Sequence, residues 1–215
     1  VKYGAKVLGG CCGTTPAYVA KLKEMVATVN ASVVKKKPRQ LAVCTPLKTV
    51  VVDQPRIVGE RINPTGKKRF KQALRDNDMN YILSQAIEQI DAGADILDVN
   101  VGSPDIDEKE MMVRVIKALQ AIVDVPLQID STKPEVLEAA LRVYNGKPIV
   151  NSVNGEEEVL DTILPIVAKY GGAVIGLALD ENGIPPTAEG RVEIAKRIRD
   201  KAMSYGIPKE DIIID

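Results

Sequence analysis

From residue 56 onward the chain repeats one pattern: a short apolar run, one or two polar residues, then an amphipathic stretch of helical period. The apolar runs stand at 57–58, 96–101, 127–129, 149–150, 174–179 and 212–214. Between them Met79, Ile82, Leu83, Ala86, Ile87 and Ile90 line one face of a helix, at spacings of three and four. Met111/Val115/Leu119/Ile122, Val136/Ala140, Val159/Ile163/Val167 and Ile194/Ile198/Ala202 repeat that spacing. Strands alternating with helices form βαβ units, whose crossovers set successive strands parallel in one sheet.

Six such strands suit either an open doubly wound sheet or an incomplete eight-stranded barrel. The polar residues favour the barrel. Nearly every run ends in one: Glu60 and Asn63, Asp98 and Asn100, Asp130, Asn151 and Asn154, Asp180, Asp215. An open sheet concentrates its site at one switch point, whereas a barrel gathers residues from all its strand ends over one mouth. No Gly-x-Gly-x-x-Gly follows any strand, which argues against dinucleotide binding. The expected fold is therefore α/β, a TIM-type (β/α)8 barrel left incomplete at about six strands, over residues 56–215.

Composition excludes several classes of function. Lys+Arg and Asp+Glu each total 29, so no extended basic face for nucleic acid is implied. One Phe and no Trp leave little to stack on bases. The absence of histidine removes a Ser-His-Asp triad and any imidazole base or ligand from this segment. No run approaches 18 apolar residues, so no membrane span is expected. Three cysteines, two of them adjacent, do not make a disulfide framework, and a reducing cytoplasm is the natural setting. Both ends read as cut, the last inside a strand, so the chain is expected to be part of something longer.

Ahead of the barrel lie two shorter zones. Residues 1–30 read as a strand (Ala5-Lys6-Val7-Leu8), a glycine loop and a helix with Thr15 as N-cap and Pro16 at its first position. Val19, Leu22, Met25, Val26 and Val29 give that helix its apolar stripe. Residues 31–55 read as a linker, basic at Lys35-Lys36-Lys37, with two β-rich runs that suit a hairpin. Cys44, in the first run, reads as a small buried hydrophobe.

Two constellations bear on chemistry. Cys11 and Cys12 sit between glycines ahead of a helix N-terminus, where a thiolate is stabilised; thiolates are good zinc ligands, but two of them are an incomplete set. The second is the set of strand-end acids and amides, with both donors and acceptors suited to a flat heterocycle rich in N–H and carbonyl groups. Any one member, Ser131, Thr132 or Asn154 above all, also reads as a helix cap or Asx turn. The basic segment from Gly66 to Lys71 reads first as a solvated helix start, and second as a patch for an anionic substrate tail or partner.

Gly9-Gly10-Cys11-Cys12-Gly13-Thr14-Thr15-Pro16 resembles the zinc-binding cysteine pair of the homocysteine S-methyltransferase family. That resemblance implies Cys11 and Cys12 as zinc ligands, with a third cysteine elsewhere, and makes residues 1–30 the end of a homocysteine-binding barrel. The strand-end motifs resemble the pterin-binding barrel. By that resemblance Asp130, Asn151 and Asp215 are pterin contacts, and Glu60, Asn63, Asp98 and Asn100 complete the polar wall, with Asn63, Asp98 and Asn151 nearest the reacting ring. The two signals in this order resemble the cobalamin-dependent methionine synthase family. The implied activity moves the N5 methyl of 5-methyltetrahydrofolate to cob(I)alamin on another domain, then to zinc-activated homocysteine, giving methionine. Methyltetrahydrofolate:corrinoid methyltransferases, dihydropteroate synthases and a non-catalytic connector domain are the competing readings.

Overall fold

The computed structural model describes residues 7–29 and 38–215. The chain divides into two compact units, Val1–Arg39 and Gln40–Asp215. In the first, helix α1 (Pro16–Ala27) starts where the sequence places it: the Thr15 hydroxyl accepts from Tyr18 N and Pro16 opens the first turn. No side chain of α1 is buried. Of the expected strand, Ala5 and Lys6 lie outside the described residues. Val7 and Leu8 belong to no strand, for among the described residues of this unit no backbone edge is there to pair with them.

The second unit opens with an antiparallel hairpin, β1 (Ala42–Cys44) and β2 (Thr49–Val51), in the register Val43↔Val50. Its turn is built by Thr45, whose hydroxyl accepts from Leu47 N and Lys48 N, with Pro46 between them. The stretch read as a linker therefore differs from that expectation. Its basic half, residues 30–37, lies outside the described residues, while its second half packs as part of the barrel unit. The reason is burial: Val43 and Val50 are 0% and 5% exposed against Ile96, Ile149 and Ala173. Removing each from water contributes roughly 1.5–3 kcal/mol. Cys44, expected to be buried, is only half-buried at the end of β1.

Six parallel strands follow in sequence order: β3 (Val58–Ile62), β4 (Ile96–Val99), β5 (Leu127–Asp130), β6 (Ile149–Val153), β7 (Ala173–Gly176) and β8 (Ile212–Ile214). β3 and β8 are the edges of this sheet, so the barrel is not closed. The crossovers are α2 (Lys68–Arg75) and α3 (Met79–Asp91), α4 (Glu108–Ile122), α5 (Pro134–Val143), α6 (Glu157–Tyr170) and α7 (Ala188–Ser204). Their apolar stripes cover one face of the sheet. Ile82, Ile116, Leu137, Leu164 and Ile198 join Leu97, Val99, Ile129 and Val150 there in the larger core.

The other face is the barrel interior, and it has a floor. Ile96, Ile149 and Ala173 pack on the hairpin, with Val58, Ile175 and Ile213 around them. Successive side chains on a strand point to opposite faces. Two residues beyond each of Val58, Ile96, Ile149 and Ile213, the interior position is therefore Glu60, Asp98, Asn151 and Asp215. The strands run from an apolar floor to a polar mouth, so their alternation sets where the chemistry sits.

Candidate functional site

The polar layer is organised around two aspartates on neighbouring strands. Asp98, on β4, is 2% exposed. Its Oδ1 accepts from Gln128 Nε2 on β5 at 2.7 Å and from Asn151 Nδ2 on β6 at 3.4 Å. Asp130, at the end of β5, is half-buried and accepts at Oδ2 from Asn100 Nδ2 at 2.9 Å. Asn100 in turn accepts from Gly102 N at 2.8 Å, which fixes the side chain that reaches Asp130. Asn151 lies opposite Asp130 in the β5/β6 register. Asp98, Asn100, Asp130 and Asn151 are thus brought together in one layer across β4, β5 and β6.

Burial pushes the Asp98 carboxyl up to about 6, against the hydrogen bond from Gln128; the negative charges of Asp130 and Glu60 push the same way as burial. Asp130 is also raised, first by burial, with Asn100 opposing and Glu60 and Glu108 adding to it. Carboxyls in this state are short of donors. A ligand edge rich in N–H groups supplies what the site lacks.

The other expected residues stand further out. Glu60 is exposed on edge strand β3 and reaches the aspartates through its charge rather than a hydrogen bond. Asn63 spends its Oδ1 on Thr65 N at 2.9 Å, an Asx turn at the rim. Asp215 is exposed and follows β8; its backbone pairs with Gly176 O and Ala178 N, and β6 and β7 separate it from the aspartate pair.

A model of the pterin binding enzymes matches residues 59–215. The chain belongs to the pterin-binding enzyme family. The methionine synthase of Mycobacterium tuberculosis (strain ATCC 25618 / H37Rv) is 32% identical over 222 residues, covering 100% of this chain and 19% of that protein. That of Mycobacterium leprae (strain TN) is also 32% identical, over 227 residues, with the same coverage. The chain spans about a fifth of the length of these curated relatives. Among solved structures, the dihydropteroate synthase of Yersinia pestis with a pterine-sulfa conjugate matches with a TM-score of 0.62 at 19% identity, over 82% of this chain and 64% of that one. The Xanthomonas albilineans dihydropteroate synthase in complex with 7,8-dihydropteroate gives 0.58 at 24%, over 81% and 63%. At these identities the structures establish the incomplete TIM-type fold.

In this pterin-binding enzyme, several residues at the mouth escaped the sequence reading. Gln128 is a polar residue inside the apolar run 127–129, two before Asp130, and its period-2 placement was the available signal. Glu108 reads from sequence as an acid in the first turn of α4. Yet its side chain is only 9% exposed, accepting from Ser131 Oγ at 2.6 Å and pairing with Lys133 Nζ at 2.9 Å. Ser131 therefore joins the site's margin, whereas Asn154 closes an Asx turn, accepting from Glu156 N. The basic segment is a helix start: Lys67 Nζ donates to the Glu60 and Arg61 carbonyls, closing the end of β3.

In the first unit, Cys11 and Cys12 are exposed thiols. Thr14 shapes their loop, donating N–H to Cys11 O and accepting from Cys11 N. The Cys12 N–H, and after it the Cys12 thiol, hold the Cys11 thiol below its ordinary range. Two sulfurs about 2.3 Å from a tetrahedral zinc lie roughly 3.8 Å apart. The Cys11 and Cys12 sulfurs are 3.8 Å apart, so the pair fits two corners of such a site. Among the described residues no group of three or more His, Cys, Asp or Glu is placed to hold a metal ion.

Proposed function

We propose that the barrel unit binds 5-methyltetrahydrofolate and gives up its N5 methyl to cob(I)alamin carried on another module. The whole protein then completes a methionine synthase reaction on homocysteine. The observation that carries this reading is the Asp98–Asn100–Asp130–Asn151 layer above an apolar floor. It offers carboxylate and amide groups, spaced across three strands, to the donor-rich edge of a pterin. The likeness to methionine synthases along the whole chain, and the cysteine pair ahead of the barrel, favour this chemistry over other pterin enzymes.

Departure of a tertiary amine needs N5 to gain positive character. The chain has no histidine to lend a proton. Its contribution is to hold the ring rigidly and to order an Asp- or Asn-linked water against N5, with Asn63, Asp98 and Asn151 on that side. Cys11 and Cys12 would hold zinc together with a ligand beyond the described residues. When bound, zinc lowers the pKa of a coordinated thiol and so makes homocysteine nucleophilic. The setting proposed is cytoplasmic.

The protein is to be incubated with 5-methyltetrahydrofolate and chemically reduced cobalamin, and separately with a pterin pyrophosphate and p-aminobenzoate. Methyl transfer in the first mixture and none of the condensation in the second is the expected result. The reverse pattern would assign a dihydropteroate synthase instead.

A further inference from the structure

We propose that Gln128 is a positioning residue of the pterin site: it fixes one oxygen of Asp98 so that the other is presented to the N–H edge of the ligand. This rests on the folate reading above. Gln128 and Asp98 are register partners on β5 and β4. Both are buried, at 5% and 2% exposure, and joined at 2.7 Å. Gln128 stands in the row of Ile149, its partner on β6, at the seam between apolar floor and polar mouth. A primary amide there costs stability unless its hydrogen bond is used.

The use is visible in how the carboxylate is divided. Gln128 and Asn151 both donate to Oδ1. Oδ2 takes no hydrogen bond among the described residues and is not a sealed, unsatisfied atom, so it is left free for a donor. One oxygen is held and the other offered. A neutral amide suits this task. Lysine would neutralise the carboxylate, and glutamate would repel it.

The charged groups facing Asp98 are Asp130 from β5 and Glu60 from β3, both negative; Asn151 from β6 is neutral, and the floor below brings the apolar Val43 and Val50 of the hairpin with Leu41 beside them. Gln128 and Asn151 therefore keep the carboxylate ionised against burial and against two like charges. Without the Gln128 donor, Asp98 holds its proton to higher pH by about one unit or more. A protonated Asp98 accepts poorly at Oδ2, so ligand affinity shifts with it.

The test follows the Asp98 carboxyl by NMR in ligand-free protein labelled with ¹³C-aspartate, its resonance assigned by its loss in Asp98→Asn. Wild type is compared with Gln128→Met and Gln128→Glu, so that one variant that fails to fold leaves the other. Both are expected to raise the midpoint, by about one unit for Gln128→Met. The pH midpoint for 5-methyltetrahydrofolate binding should rise by the same amount. An unmoved carboxyl midpoint, or an affinity loss equal at every pH, overturns the proposal and leaves Gln128 as packing. If the carboxyl midpoint moves but wild type binds no pterin, the positioning stands and the folate reading fails.

Discussion

Asn100 on the loop after β4 donates to Asp130 on β5 at 2.9 Å, while its own carbonyl is pinned by Gly102 N at 2.8 Å. The amide is thereby oriented before any ligand arrives, and it aims a neighbouring carboxylate. Its loss should be felt in binding rather than folding. Asn100→Ala is expected to weaken pterin binding by about tenfold or more, the scale of one hydrogen bond to a charged group. Calorimetric titration of both forms checks this. Equal affinities would show that Asp130 needs no support from β4.

The buried Asp98 makes stability depend on pH. Its folded value, about 6, lies above the ordinary 3.8, so the folded chain binds this proton more tightly than the unfolded one. The stabilisation is complete below the ordinary value and is lost as pH rises through about 6. Asp98→Asn, which keeps an acceptor for Gln128, should therefore be more stable than wild type at pH 8, by up to about 3 kcal/mol. No gain is expected near pH 3.5. Urea unfolding of both proteins at the two pH values checks the sign, with weakened pterin binding expected alongside.

Tyr144 ties the floor together. Its hydroxyl donates to Cys44 O at 3.0 Å and accepts from Leu127 N at 3.3 Å, and burial pushes it up to about 12. Tyr144→Phe leaves a buried N–H at the start of β5 without its partner. A loss of about 1–3 kcal/mol in urea unfolding is expected, with pterin affinity unchanged.

Gly146 permits the hairpin to dock. It has φ +148°, and a Cβ there would stand 2.1 Å from Cys44 O, a backbone atom that cannot yield cheaply. Gly146→Ala should destabilise by more than about 1 kcal/mol and expose the β1–β2 hairpin first. Hydrogen exchange at Val43 and Val50 would register the undocking before global unfolding does.

Much of this architecture could be read from periodicity. The apolar runs at 212–214 and 96–101 became β8 and the core of β4, and the i, i+3, i+4 stripe from Met79 became α3. Asp98, Asn100, Asp130 and Asn151 were legible because strand ends in a barrel converge whatever the intervening sequence. What was not legible depends on long-range packing. Val43 and Val50 look like any short β-rich run until Ile96 and Ile149 are packed against them. Glu108 looks like a first-turn acid until Ser131 and Lys133 close over it. Asn154 went the other way: its side chain closes an Asx turn at Glu156 N, and a local Asx turn and a ligand contact have the same sequence signature.

The central claim is that this barrel mouth is a folate site built on Asp130. Calorimetric titration of 5-methyltetrahydrofolate into wild type and Asp130→Ala, with circular dichroism to confirm the fold, tests it most directly. Saturable binding by wild type, with at least a hundredfold weaker binding by a folded Asp130→Ala, is the expected result, since a charge-assisted contact in a half-buried site is lost. Unchanged affinity in the variant would contradict the account.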